Sequence, residues 1–121
     1  MQHYWDVLEE RDHGQLHIVI DKTWEDCSPR DLFDDTVYDL DEICGKIDSY
    51  DLDWFVLRAR VFYEDIELGS SIVGGFLYED ARETLTDGTA DDLIYSAMQD
   101  ARARASDLKT KFMELEVEAI Q

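Results

Sequence analysis

Hydrophobic and polar residues alternate in two stretches of the chain, and a turn interrupts each alternation. The first stretch covers residues 3–21 and turns at residues 12–15. The second covers residues 54–73 and turns at Glu64 and Asp65. A period of two on both sides of a polar turn is typical of a β-hairpin. The sequence therefore predicts two hairpins, and with them about four strands of an antiparallel sheet.

The segment between the two hairpins carries helical signals. Ser28 followed by Pro29 predicts a short turn or helix, and Asp39 is of a residue type that caps helix N-termini. After Asp39, one apolar stripe at helical spacing consists of Leu40, Ile43, Cys44 and Ile47. The predicted fold class is α+β, with a short inserted helix and a long C-terminal helix.

The C-terminal helix is predicted to begin near Thr89 and Asp92, which have the spacing of an N-terminal capping box. From residue 94 onwards, apolar residues are separated alternately by 4 and 3 positions, as in a heptad seam. The seam consists of Ile94, Met98, Ala101, Ala105, Leu108, Phe112, Leu115 and Ala119. Residues 94–119 would span about 38 Å, whereas a compact domain of this size is roughly 35 Å across. We therefore expect the helix either to pack across its own sheet or to protrude and form a homodimer, and the spacing leaves both open.

Charge limits what such a domain can bind. The chain of 121 residues holds 30 acidic and 11 basic residues, a formal charge of -19, together with 45% hydrophobic residues that can fill a core. A surface of this sign repels nucleic acids and anionic membranes. We expect residues 1–121 to form one acidic domain whose partner is a basic protein or nucleoprotein complex, without direct binding of nucleic acid or membrane.

The acidic residues are concentrated between the hairpins. Residues 21–53 contain twelve acidic and three basic residues. The candidate partner-binding acids are Glu25, Asp26, Asp31, Asp34, Asp35, Asp39, Asp41, Glu42, Asp48 and Asp51. Candidate aromatic anchors on the same surface are Trp24, Phe33 and Tyr38. If these acids share one face, their charge density approaches that of DNA; if they do not, an acidic surface that only aids solubility is the simpler interpretation.

Catalytic, metal and cofactor sites are not predicted. No carboxylate lies in the apolar sequence context that raises the pKa of an acid catalyst. No His-x-x-x-His pair on a predicted helix and no Cys-x-x-Cys motif indicates a zinc site. The chain has no apolar run of ~20 residues and no basic-then-apolar N-terminus, so we expect a cytoplasmic protein with reduced cysteines.

The second hairpin and the residues after it carry a pattern of their own. It comprises RVFYEDIELGS at residues 60–70, the pair Gly74-Gly75 and the run Tyr78-Glu79-Asp80. This pattern, within residues 58–82, resembles that of small, largely uncharacterised acidic proteins encoded by bacteriophages and prophages. The resemblance implies a protein made in the host bacterial cytoplasm during infection. Small acidic phage proteins include inhibitors of CRISPR and restriction defence that occupy the nucleic-acid-binding surface of their target. No functional residue carries over from the resemblance.

Two functions are therefore expected. The preferred one is a non-enzymatic, phage-encoded inhibitor whose acidic, DNA-mimic-like surface binds a basic cleft of a host nucleic-acid-handling defence complex. The alternative is a homodimeric structural or assembly module that uses the seam of the C-terminal helix, while its acidity only aids solubility.

Overall fold

A computed structural model gives the structure of residues 4–120, and it describes the side chains of residues 4–115. The strands are β1 (Asp6–His13), β2 (Leu16–Trp24), β3 (Asp53–Tyr63) and β4 (Ile66–Tyr78). They form one antiparallel sheet in the order β1-β2-β3-β4. The helices are α1 (Pro29–Leu32), α2 (Leu40–Asp48), a 3-10 helix (Ala81–Leu85) and α3 (Thr89–Ile120). The predicted α+β class and the two predicted hairpins are confirmed.

The strand β4 is longer than the alternation predicted. It runs on to Tyr78 through Gly74 and Gly75. Phe55 pairs with Phe76 and Leu57 with Val73, so the two glycines lie opposite the single residue between them on β3. This two-against-one pairing is a β-bulge, and the φ angle of Gly75, 79°, is one that glycine adopts without strain.

The hydrophobic core lies between α3 and one face of the sheet. Every second residue of β2 and β3 faces α3, because successive side chains of a strand point to opposite faces. The buried residues of these three elements in the core are Ile18 and Ile20 of β2, Phe55, Leu57, Ala59 and Val61 of β3, and Ala90, Leu93, Ala97 and Ala101 of α3. Three of the four helical residues are alanines, so the helix backbone approaches the sheet closely.

The opposite face of the sheet contains a buried ion cluster. The carboxylate of Asp21, which is only 1% exposed, accepts hydrogen bonds from Nε and Nη2 of Arg58 at 2.8 and 2.6 Å. It also accepts one from Nη2 of Arg60 at 3.0 Å. The guanidinium of Arg58 lies 3.7 Å from the ring centroid of Trp5. Asp21 is thereby fully paired within the sheet.

The N-terminus of α3 is held by a residue that the sequence did not single out. Asp87 accepts a hydrogen bond from the backbone N–H of Thr89 at 2.9 Å and another from the Tyr78 hydroxyl at 2.6 Å. The Tyr78 hydrogen bond lowers the pKa of Asp87, and the same bond raises the pKa of Tyr78. The helix thus begins near the predicted position, but with Asp87 rather than a Thr89 and Asp92 box holding its first turn.

The first half of α3 packs on its own sheet, as the first alternative for the heptad seam expects, and the second half is exposed. Ile94, Met98 and Ala101 pack against the core of their own sheet. Beyond Ala101 the described helix residues are exposed, apart from a half-buried Leu108, and Phe112 is 60% exposed. Ala105 and Leu115 are exposed as well, while Ala119 lies outside the residues whose side chains are described. No helix within residues 4–120 is long and apolar enough to cross a membrane.

Candidate partner-binding surface

Residues 25–52 connect β2 to β3 and form what we call the acidic lobe. Two local signals shape it. Ser28 Oγ accepts a hydrogen bond from the backbone N–H of Arg30 at 3.2 Å and so caps α1, in which Pro29 is the first residue. Asp39 caps α2 in the same way, accepting from the N–H of Glu42 at 3.2 Å. Both caps agree with the sequence prediction.

The acidic lobe is tied to the sheet by Glu25 and Trp54. The carboxylate of Glu25 accepts hydrogen bonds from the backbone N–H of Cys27 at 3.1 Å and of Gly75 at 2.9 Å. Trp54, at the start of β3, donates its indole N–H to the carbonyl of Cys27 at 2.7 Å. A Cβ atom at Gly74 would collide with the Glu25 carboxylate, so a larger residue there would displace that side chain from its present position. Glu25 is half-buried and acts as an anchor of the lobe rather than as part of its outer surface.

The three aromatic candidates have different surroundings. Phe33 is half-buried, with its ring centroid 5.2 Å from that of Tyr38 and 5.5 Å from that of Trp54. It therefore forms a small core that holds the lobe against β3. Trp24 and Tyr38 leave 45% and 49% of their surface exposed, so they remain accessible to a partner. The indole N–H of Trp24 donates to Asp26 at 3.1 Å.

All ten candidate acids lie in the acidic lobe. With two basic residues among them, residues 25–52 carry a formal charge of -8. Apart from Glu25, each of the ten is exposed. Both basic residues are paired inside the lobe, Arg30 with Asp41 and Lys46 with Glu42 at 3.3 Å. The lobe's own cations are therefore already paired with two of its acids.

Three of these acids share a concave surface. Asp35, Asp39 and Asp41 line a shallow, polar depression of about 350 Å³ together with Arg30 and Tyr38. The depression combines carboxylates, a paired guanidinium and an exposed aromatic ring. This is the chemistry that complements a basic side chain with an aliphatic stem.

Two acids counted in the sequence segment 21–53 are not part of this surface. Asp21 is buried beneath Arg58 and Arg60, as described above. Asp53 forms an ion pair with Lys22 at the edge of the lobe. Both charges are paired within the sheet, and the first exposed acid of the lobe is Asp26.

The local field of the lobe acts on Cys27. The charge of Glu25 is the main cause that raises the pKa of the exposed Cys27 thiol, and Asp31 and Asp26 add to it. In the same segment, the pKa of Asp34 is lowered because its carboxylate accepts hydrogen bonds from the backbone N–H and hydroxyl of Thr36, at 2.9 and 2.7 Å. Asp34 therefore stays ionised to lower pH, unlike a general acid, which needs a raised pKa.

The charge density of the lobe falls between that of an average acidic surface and DNA. The molecule exposes 8404 Å². If the 28 residues of the lobe take a proportional share, about 1,900 Å², a charge of -8 is about one per 240 Å². Duplex DNA presents roughly one per 110 Å². The surface charge density of the lobe is thus within about a factor of two of that of DNA.

The acidic lobe and the protruding half of α3 lie at opposite ends of the sheet. The lobe contacts Trp54 at the start of β3, whereas the exposed half of α3 lies beside Tyr63 at its end. Nine strand residues separate the two positions, or about 30 Å. Two surfaces of different chemistry are therefore available at once.

Comparisons of the chain with protein-family models, curated proteins and solved structures give no significant match. Among the residues that the structure describes, no group of three or more His, Cys, Asp or Glu side chains is arranged to hold a metal ion.

Proposed function

We propose that this chain is a non-enzymatic, phage-encoded inhibitor that acts in the cytoplasm of a host bacterium. It binds a basic cleft of a nucleic-acid-handling defence complex, such as a CRISPR or restriction complex, through the acidic lobe. The phage origin rests on the resemblance of residues 58–82, and the mode of binding rests on the lobe. The two parts are separate, and only the second is tested by mutating the lobe.

The observation that carries the proposal is the charge of residues 25–52. This segment contains ten acidic and two basic residues, and both basic residues form ion pairs within the lobe. A cleft that holds phosphates is lined by Lys and Arg, so it attracts a surface of this sign and density. Exposed Trp24 and Tyr38 add apolar contact area next to the charges.

The helix caps of the lobe and its hydrogen bond to the sheet make it a preformed ligand. Ser28, Asp39 and Glu25 fix its backbone through hydrogen bonds of their own. A preformed surface loses less conformational entropy when it binds than a disordered acidic tail does. Steering by charge should make its association fast and strongly dependent on salt.

The test compares two variants of equal net charge. In the first, exposed lobe acids Asp31, Asp35 and Asp48 are changed to Lys. In the second, exposed acids outside the lobe, Asp65, Glu79 and Glu83, are changed to Lys. Each set of three reversals moves the formal charge by six units, from -19 to -13. The native chain and both variants are used to capture complexes from bacterial lysate that carries active restriction and CRISPR systems.

We expect the native chain and the second variant to retain a nucleic-acid-handling complex that elutes between about 0.1 and 0.5 M salt. The variant with Asp31, Asp35 and Asp48 changed to Lys should no longer retain this complex. Equal retention by both variants would refute binding through the lobe. Recovery of the chain alone, or of phage structural proteins, would favour the assembly function instead.

A further inference from the structure

The C-terminal half of α3 and the end of the β3–β4 hairpin enclose an apolar groove. Tyr63, Ile66 and Leu68 form the hairpin side, and Leu108, Phe112 and Met113 are among the residues on the helix side. The groove has a volume of about 640 Å³ and is open to solvent. Ile66, Phe112 and Met113 are each more than half exposed. Apolar side chains gathered in this way are typical of a surface that binds a partner.

We propose that a second copy of this chain covers the groove, with its α3 antiparallel to the α3 of the first copy. The inference is independent of the acidic lobe, which lies at the other end of β3. Three properties of this chain select a second copy as the occupant: the area that is left exposed, the symmetry of the seam and the arrangement of charges along α3.

The exposed apolar area reaches the lower bound of what a specific dimer interface needs. The chain exposes 8404 Å², about 1,700 Å² more than the roughly 6,700 Å² expected for a compact monomer of its mass. Within and beside the groove, five large side chains expose 40 to 60% of their surface: Tyr63, Ile66, Phe112, Met113 and Leu115. At roughly 100 Å² each, they supply about 500 Å² per copy. A symmetric pair therefore buries about 1,000 Å² of apolar surface, near the lower bound for a specific interface.

The seam is symmetric about residue 110. Leu108 and Phe112 lie two positions from it on either side, and Ala105 and Leu115 lie five positions from it. In an antiparallel pair centred at residue 110, Leu108 of one copy meets Phe112 of the other, and the small Ala105 meets Leu115. A two-fold interface requires such self-complementarity.

Charge along α3 favours the antiparallel arrangement. Arg102 and Arg104 precede the centre by eight and six positions, and in the sequence Glu116 and Glu118 follow it by the same distances. Antiparallel helices bring these opposite charges together, whereas parallel helices place arginine beside arginine. Near the centre, the Lys111 ammonium is neutralised by Asp107 at 3.1 Å.

The remaining charge of the molecule also disfavours a parallel pair. Residues 94–121 hold four bases and five acids, so the first 93 residues carry -18 of the total of -19. The hairpin tip, which includes Glu64 and Asp65, lies beside the groove. In an antiparallel pair, the remaining parts of the two acidic bodies lie at opposite ends of about 28 Å of helix, residues 102–120. That distance is more than three times the ~8 Å screening length at physiological salt. The helix side of the interface thus lies in the nearly neutral segment of the chain.

The first test measures the mass of the full-length chain in solution over a concentration series, by analytical ultracentrifugation. We expect a reversible change from 14.1 kDa to twice that mass. Phe112→Asp should weaken the association at least ~30-fold, since the side chain lies in the centre of the interface. Tyr95→Asp is the matched control, because Tyr95 is 65% exposed on the same helix but outside the groove. A chain that stays at 14.1 kDa, or a dimer that Phe112→Asp leaves unchanged, would overturn the proposal.

The second test addresses orientation and uses no apolar substitution. Arg102→Glu with Arg104→Glu should weaken the dimer about tenfold or more, because four pairs become repulsive. Adding Glu116→Arg and Glu118→Arg to the same chain should restore it. Association that is unaffected by the first two changes, or not restored by the second two, would overturn the antiparallel arrangement.

Discussion

Gly69 on β4 and Ala101 on α3 lie in direct backbone contact. A Cβ atom at Gly69 would be 2.5 Å from the backbone nitrogen of Ala101 and 2.5 Å from the carbonyl oxygen of Ala97. Next to this contact, the backbone N–H of Ser70 donates to the carboxylate of Asp100 at 3.0 Å. Ala101 is also the last buried residue described in α3. The contact therefore fixes where the helix leaves the sheet and where its protruding half begins.

Gly69→Ala should destabilise the fold. The added methyl group collides with backbone rather than with a flexible side chain, so the helix must move, at a cost of about 1–3 kcal/mol in the free energy of unfolding. Gly45→Ala is the control: Gly45 lies inside α2 with nothing within 4 Å of the added methyl group. That change should stabilise by up to about 1 kcal/mol. Urea denaturation followed by circular dichroism measures both, and an equal effect of the two substitutions would show that the close contact is absent.

Asp21→Ala should be among the most destabilising single changes. It leaves two guanidinium groups, of Arg58 and Arg60, without their shared carboxylate on a largely buried face. Removing one partner of a buried ion pair costs about 3–5 kcal/mol. Asp48→Ala removes the same charge from an exposed site and should change the free energy of unfolding by less than ~0.5 kcal/mol. If the two variants unfolded at the same denaturant concentration, the ion cluster would have no role in stability.

The thiol of Cys27 reports on the field of the acidic lobe. Because its pKa is raised, chiefly by Glu25 and further by Asp31 and Asp26, less thiolate is present at neutral pH. In a Cys44→Ser background, alkylation of Cys27 should be slower than that of a cysteine in an unfolded peptide. Changing Asp26 and Asp31 to Asn should speed it up, as should added salt. Rates that are insensitive to both would contradict a concentrated negative field at this surface.

The pKa of His17 should lie above the ordinary value for histidine. Its ring nitrogens lie 2.8 Å from Asp12 and 2.9 Å from Glu10, and these two hydrogen bonds, with Asp12 first, raise the pKa of His17. Protonated His17 therefore stabilises the fold below the unfolded pKa of about 6.5, and this contribution is lost as pH rises from there through the raised value. NMR titration of the ring should show the raised midpoint, and Asp12→Asn should move the midpoint down. A midpoint that stays the same in Asp12→Asn would mean that the contact does not form in solution.

Local signals in the sequence were sufficient for the two hairpins with their turns and for the caps of α1 and α2. The alternation in β2 and β3 and the capping residues Ser28 and Asp39 depend on near neighbours along the chain, so their pattern is visible without the fold. The register between β3 and β4 is not visible in the sequence, because it depends on the bulge at Gly74 and Gly75. Beyond this bulge β4 continues to Tyr78. At that bulge the backbone N–H of Gly75 donates to the Glu25 carboxylate, a contact across fifty residues.

Contacts between distant elements decided which predicted residues are available to a partner. Asp21 is removed from the acidic surface by Arg58 and Arg60 on a neighbouring strand, and Phe33 is half-buried because Trp54 packs against it. The seam prediction for α3 was likewise incomplete. Besides the seam residue Ala101, the most buried helix residues are Ala90, Leu93 and Ala97, and the last two each precede a seam residue by one position. Alanines give a weak hydrophobic signal, but their small size is what the close approach to Gly69 requires.

Competition with nucleic acid tests binding through the acidic lobe most directly. The captured defence complex is immobilised with labelled DNA or RNA of its own type, and increasing amounts of the chain are added. We expect the chain to displace the nucleic acid completely and the Asp31, Asp35 and Asp48 to Lys variant to displace none, while the Asp65, Glu79 and Glu83 to Lys variant acts like the native chain. A ternary complex that retains its nucleic acid, or equal displacement by both variants, would contradict the proposal that the lobe occupies a nucleic-acid-binding cleft.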